Sequence, residues 1–123
     1  MGRRALAGAG AALLLAGCGS SPGDAPKRVA LDFYAALSAH DGARACALLA
    51  PRARGFVASS GRAPCAQAIF GRVRFALGGH PTVTFLVMEG DGATVEMKLA
   101  AKGPTAKLAL QKLGGRWQVV AFA

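Results

Sequence analysis

The sequence contains no asparagine, only two histidines and only six acidic residues among its 123 positions. The carboxylates are Asp24, Asp32, Asp41, Glu89, Asp91 and Glu96, with none between Asp41 and Glu89. General acid–base chemistry calls for a pair of titratable groups held in one site with their pKa values pushed apart. Each carboxylate here has a simpler role. Asp32 is spaced to pair with Arg28 at i, i+4, and Asp41 is placed to cap a helix. Glu89 and Asp91 flank a turn, and Glu96 falls on the polar face of a strand. His40 and His80 stand in separate segments with no second ligand at metal spacing, so no metal site is expected. His40 falls at a helix end, where a cation meets the C-terminal dipole favourably. The chain also lacks a phosphate loop, His-Glu-x-x-His and Cys-x-x-Cys, the motifs of nucleotide-binding proteins, zinc peptidases and dithiol oxidoreductases. No catalytic residue and no cofactor are assigned. A permanent membrane span is equally disfavoured. The apolar run from Ala5 to Gly17 is well short of the roughly 20 residues that cross a bilayer as a helix.

What that run does make is a signal peptide. Met1-Gly2-Arg3-Arg4 supplies a positive start and Leu15-Ala16-Gly17 a small-residue end, the pattern of a secretory leader over residues 1–17. Leu-Ala-Gly directly followed by Cys18 resembles the lipobox of bacterial lipoproteins. The resemblance implies that Cys18 is lipidated and becomes the mature N-terminus. It places the protein on the extracytoplasmic face of a bacterial cell membrane, held by two or more acyl chains. Residues 18–26, Cys-Gly-Ser-Ser-Pro-Gly-Asp-Ala-Pro, read as a flexible tether. Residues 27–123 are enough for one small domain. Its basic balance, net +9 over the whole chain, includes Arg52, Arg54, Arg62, Arg72 and Arg74. Such a run is usually a solvated face; the alternative, on a tethered domain, is contact with anionic lipid headgroups or a wall polymer. Nucleic acid is not an expected partner, because the cations are otherwise scattered, no RNA-binding aromatic motif is present and export removes the chain from DNA and RNA.

The apolar spacing predicts a helix from Lys27 to His40, started at Asp24 or Ala25, with Val29, Phe33, Ala36, Leu37 and His40 on one stripe. Asp41 caps a second helix carrying Ala45, Cys46, Leu48 and Leu49, which Pro51 ends. Residues 52–62 are expected to be mostly loop, with at most a helical turn around Phe56. A short third helix is expected from Pro64 to Phe70, with Cys65, Ala68 and Ile69 inward. After Arg72 the period becomes two. Strands are predicted at 82–88, 94–99, 106–112 and 116–122, separated by Gly90-Asp-Gly92, Gly103-Pro104 and Gly114-Gly115. Val73–Leu77 is a candidate for one more. Val95, Met97, Leu99, Leu108 and Leu110 fall on one sheet face, to be covered by Val29, Phe33 and Leu37, and Trp117 is expected to anchor the sheet core. Helices followed by hairpin-linked strands make an α+β domain with helices on one face of an antiparallel sheet.

Outside the cytoplasm, the two cysteines left after Cys18 are most simply a disulfide, Cys46 with Cys65. The alternatives are two buried thiols or a reactive cysteine, and no flanking histidine favours a redox role.

Phe33-Tyr-Ala-Ala-Leu37, Asp41 opening a helix with Cys46-Ala-Leu-Leu49, Cys65-Ala-Gln-Ala, Gly92-Ala-Thr-Val95 and Gly115-Arg-Trp-Gln-Val119 together resemble small exported actinobacterial lipoproteins. These are similar to the nuclear transport factor two-like superfamily, the cystatin-like α+β cone. The resemblance implies helices packed on a curved antiparallel sheet, here an abbreviated cone. It implies a non-catalytic envelope lipoprotein that binds a small apolar ligand or a protein partner, with Phe33, Tyr34, Leu37 and Met97 lining the pocket. Ketosteroid isomerases of the superfamily use a helix-one tyrosine as an oxyanion donor, so the alternative it implies is a cone-type isomerase or hydrolase using Tyr34.

Overall fold

A computed structural model describes residues 21–61 and 63–123. The signal peptide and Cys18 lie outside the described residues. Helix α1 spans Asp24–Ser38, beginning inside the stretch read as tether. Pro26 sits in its first turn, where a missing N–H removes no helical bond. The Asp24 carboxylate accepts a hydrogen bond from the Ser21 N–H at 3.0 Å and pairs with Lys27 at 3.8 Å. Those bonds to Ser21, aided by Lys27 and Arg28, hold its pKa below the ordinary value of 3.8. The ion pair of this helix is therefore Asp24–Lys27 in place of the expected Arg28–Asp32.

Helix α1 closes on a Schellman motif. Ala39 is the C-cap, His40 follows with φ 57°, and the His40 and Asp41 N–H groups donate to Leu37 O and Ala36 O at 3.0 and 2.8 Å. His40 is thus exposed and beyond the helix, not on its apolar stripe. Its ring meets Phe70 with centroids 5.7 Å apart. The buried stripe is Ala30, Phe33, Tyr34, Ala36 and Leu37, with Val29 at its margin.

Asp41 caps α2 (Gly42–Ala47) as expected, its side chain accepting from the Arg44 N–H at 3.1 Å. Gly42 is required here: a Cβ would overlap the carbonyl of Ala66, in the helix opposite. After α2 the chain runs beside the sheet. Leu49 makes a parallel bridge to Val119, the Ala50 N–H donates to Val119 O, and the Val119 N–H donates to Leu48 O, both at 2.8 Å. Pro51 then opens α3 (Pro51–Gly61), which replaces the loop expected at 52–62. Pro51 does not end α2, which stops at Ala47; its fixed φ suits the first position of α3 instead. Arg54 secures the join, its Nε and Nη2 donating to the carbonyls of Cys46 and Leu49 at 3.1 and 3.0 Å. Helix α4 (Cys65–Ala68) continues as a 3-10 turn over Ile69–Gly71. The disulfide Cys46–Cys65, Cα atoms 6.1 Å apart, ties α2 to α4. Residues 73–77 form no strand. Phe75 is buried instead and stacks on Tyr34 at 6.0 Å.

Strands β1 (Thr82–Glu89), β2 (Gly92–Lys98), β3 (Thr105–Leu113) and β4 (Arg116–Phe122) form an antiparallel sheet in that order. The pleat sends alternate residues to opposite faces, and the inward set is Ala93, Val95, Met97, Ala106, Leu108, Leu110 and Val119. With Phe33, Leu37, Leu49 and Ile69 from the helices they form one core. Trp117 sits at its margin, half-buried. The register shifts between Val83 and Phe85 on β1 and, opposite Ala109 and Leu110 of β3, between Val119 and Ala121 on β4. Each shift leaves one residue unpaired, Thr84 and Val120 respectively. The architecture is α+β, with helices on one face of a four-stranded antiparallel sheet.

Candidate functional site

Phe33, Leu37 and Met97 have no exposed surface, and Tyr34 has 2%. The space between α1 and the sheet is therefore filled by side chains. The Tyr34 hydroxyl donates to Ala76 O at 3.0 Å and accepts from the Gly79 N–H at 3.1 Å. It works as a latch holding the 76–79 segment against α1. Beside it the Gly78 N–H donates to the Ser38 hydroxyl at 3.0 Å. A shallow depression among Leu31, Ser38, Gly79 and Pro81 reaches Tyr34 from outside. Among the described residues, no three His, Cys, Asp or Glu side chains come together as they would around a metal ion. No described helix is long and apolar enough to cross a membrane.

An apolar concavity lies elsewhere. A groove of about 820 Å³ runs between α3 and the outer ends of β3 and β4, walled by Phe56, Val57, Leu113 and Phe122 and bordered by Arg52 and Arg72. It exists because Leu48–Ala50 docks on β4 and turns α3 alongside that strand. The unpaired Val120 and its neighbour Ala121 form part of the floor. Phe56 is 62% exposed and Leu113 40%, unusual for large apolar side chains that share one concavity. The Arg72 guanidinium lies 4.5 Å over the Phe56 ring, within cation–π range.

The basic cluster of the sequence divides by role. Arg54 is structural, and Arg74 donates to Gly71 O at 3.1 Å. Arg52 and Arg72 border the groove, while Arg62 lies outside the described residues. The Arg52 side chain is exposed and makes no hydrogen bond or ion pair with any described residue. It also stands in the first turn of α3, the positive end of that helix. Among the described residues no carboxylate lines the groove.

Phe56, Leu113 and Val120 are the site residues that sequence reasoning missed. Leu113 carried a signal: it is out of phase with Leu108 and Leu110, an apolar residue on the polar face of its strand. Phe56 carried none, being one aromatic in a stretch rich in Arg, Gly and Ser. Comparison of the chain with family models, with curated proteins and with solved structures finds no match.

Proposed function

We propose that this chain is a lipid-anchored domain of a bacterial cell envelope that binds its ligand without transforming it. In this reading Cys18 carries the lipid and becomes the mature N-terminus. The domain is then an abbreviated nuclear transport factor two-like cone, a reading supported by the bulges on β1 and β4, which bend strands. The observation that carries the binding function is the position of the concavity. The inner space where cone enzymes hold substrate is occupied by Phe33, Leu37 and Met97, and the Tyr34 hydroxyl is engaged by two backbone groups. The open, largely apolar groove beside α3 has the character of a binding site, apolar walls with a few polar groups to orient what enters.

Both halves of the reading are tested on cells expressing variants of the full chain. Cys18→Ser is expected to leave the membrane fraction after a high-salt wash, or to stall before processing. Retention there of a processed protein, without its signal peptide, would overturn the anchor. Small molecules that co-purify with the wild-type protein, identified by mass spectrometry, are expected to be lost from Phe56→Asp, whose substitution lies on the surface and spares the core. Equal recovery from both proteins would overturn the groove as the binding site.

A further inference from the structure

We infer that the groove beside α3 binds a single-chain amphipathic anion, a long-chain acyl carboxylate, with its tail along Phe56, Val57 and Leu113 and its head at Arg52. The inference rests on the binding reading above and names the ligand class for that site.

Size comes first. A groove of about 820 Å³ lies within the range of about 300–1,000 Å³ typical of small-molecule sites. Its walls are apolar, which suits a hydrocarbon tail, and a concavity suits a narrow occupant better than a flat protein interface. Charge then fixes the sign of the head. Among the described residues the groove is bordered by two guanidinium groups and no carboxylate, so an acid entering it meets attraction without a competing anion. Arg52 is exposed and makes no contact of its own with any described polar group. Its planar fork matches the two oxygens of a carboxylate, a bidentate geometry an ammonium does not reproduce. Arg72, over the Phe56 ring, adds positive potential along the aromatic wall. The α3 N-terminus adds more at the same end. A cationic amphiphile would meet repulsion throughout, and a neutral one would gain only the apolar part.

The test uses the full-length chain carrying Cys18→Ser, so that no covalently attached acyl chain competes for the groove. Fluorescence titration with cis-parinaric acid is compared with titration by its methyl ester, which keeps the tail and removes the charge. The acid is expected to bind about tenfold or more tightly than the ester, as one charge-assisted bidentate contact provides, and added salt is expected to narrow that difference. Arg52→Glu is expected to abolish the preference for the acid, and Arg52→Lys to keep part of it. Leu113→Asn is expected to weaken acid and ester alike. Each of these positions is on the surface, and thermal melts establish that the variants fold. Equal affinity for acid and ester, with Leu113→Asn still weakening both, would overturn the acyl-anion assignment and leave the groove as a binding site. Binding of neither probe, or binding indifferent to both Arg52 and Leu113, would overturn the assignment and the binding reading together.

Discussion

His40 holds a left-handed backbone conformation, φ 57°, at the position of a Schellman motif where glycine is usual. An L-residue there costs about 1–2 kcal/mol relative to the right-handed region, and glycine gives back about 0.5–1 kcal/mol through its larger unfolded freedom. His40→Gly is accordingly expected to stabilise the domain by about 0.5–1 kcal/mol. His40→Ala keeps the strain and loses the contact with Phe70, so it is expected to destabilise. Paired thermal or urea melts of the two variants check the argument, and a His40→Gly protein less stable than wild type would show that the Phe70 contact outweighs the strain. The histidine thus belongs to helix termination.

At the scale of elements, the unit α2–α3–α4 is held from its two ends. The disulfide joins residues 19 apart in sequence, and α3 lies inside the loop it closes. By the chain-entropy model such a loop contributes about 3 kcal/mol, which only the oxidised protein has. Reduction, or the double substitution Cys46→Ala with Cys65→Ala, is expected to lower stability by about that amount. Amide exchange is expected to rise first in α3, which buries Val57 and little else, while β2 and β3 keep their protection. A uniform loss across the sheet would mean the staple supports the whole core and not this unit. The same unit marks the boundary of what was legible in the sequence. Asp41 was readable because a cap is a local event, one side chain meeting an amide three residues on. The helix Pro51–Gly61 was not. Gly55, Ser59 and Ser60 are weak helix formers, and what fixes the segment is non-local: Arg54 on the carbonyls of Cys46 and Leu49 and Leu49 on Val119. The groove was hidden for the same reason, since Phe56 and Leu113 line one concavity only after that docking.

For the molecule as a whole, the faces of β2 and β3 were legible because a pleated strand has a period of two and each strand offers one apolar set. Val95, Met97, Leu108 and Leu110 are all buried as their phase requires, and Phe33 and Leu37 cover them from α1. Leu37→Ala removes a side chain with no exposed surface and is expected to cost about 2–5 kcal/mol. Leu113→Ala, in the groove, is expected to stay within about 0.5 kcal/mol of wild type. Denaturant midpoints of the two variants separate core from site, and comparable losses would show that the groove wall is part of the core. One further consequence follows from the three residues Leu48–Ala50 lying beside β4. The outward amide and carbonyl of Val119 at the centre of that strand are already taken, so an incoming strand cannot zip along it. The opposite margin of the sheet, β1, is interrupted by its own unpaired Thr84. Edge-to-edge growth needs two templating margins per molecule. This fold offers at most one, and that one is broken, so strand pairing between copies ends at a pair and has no route to a filament.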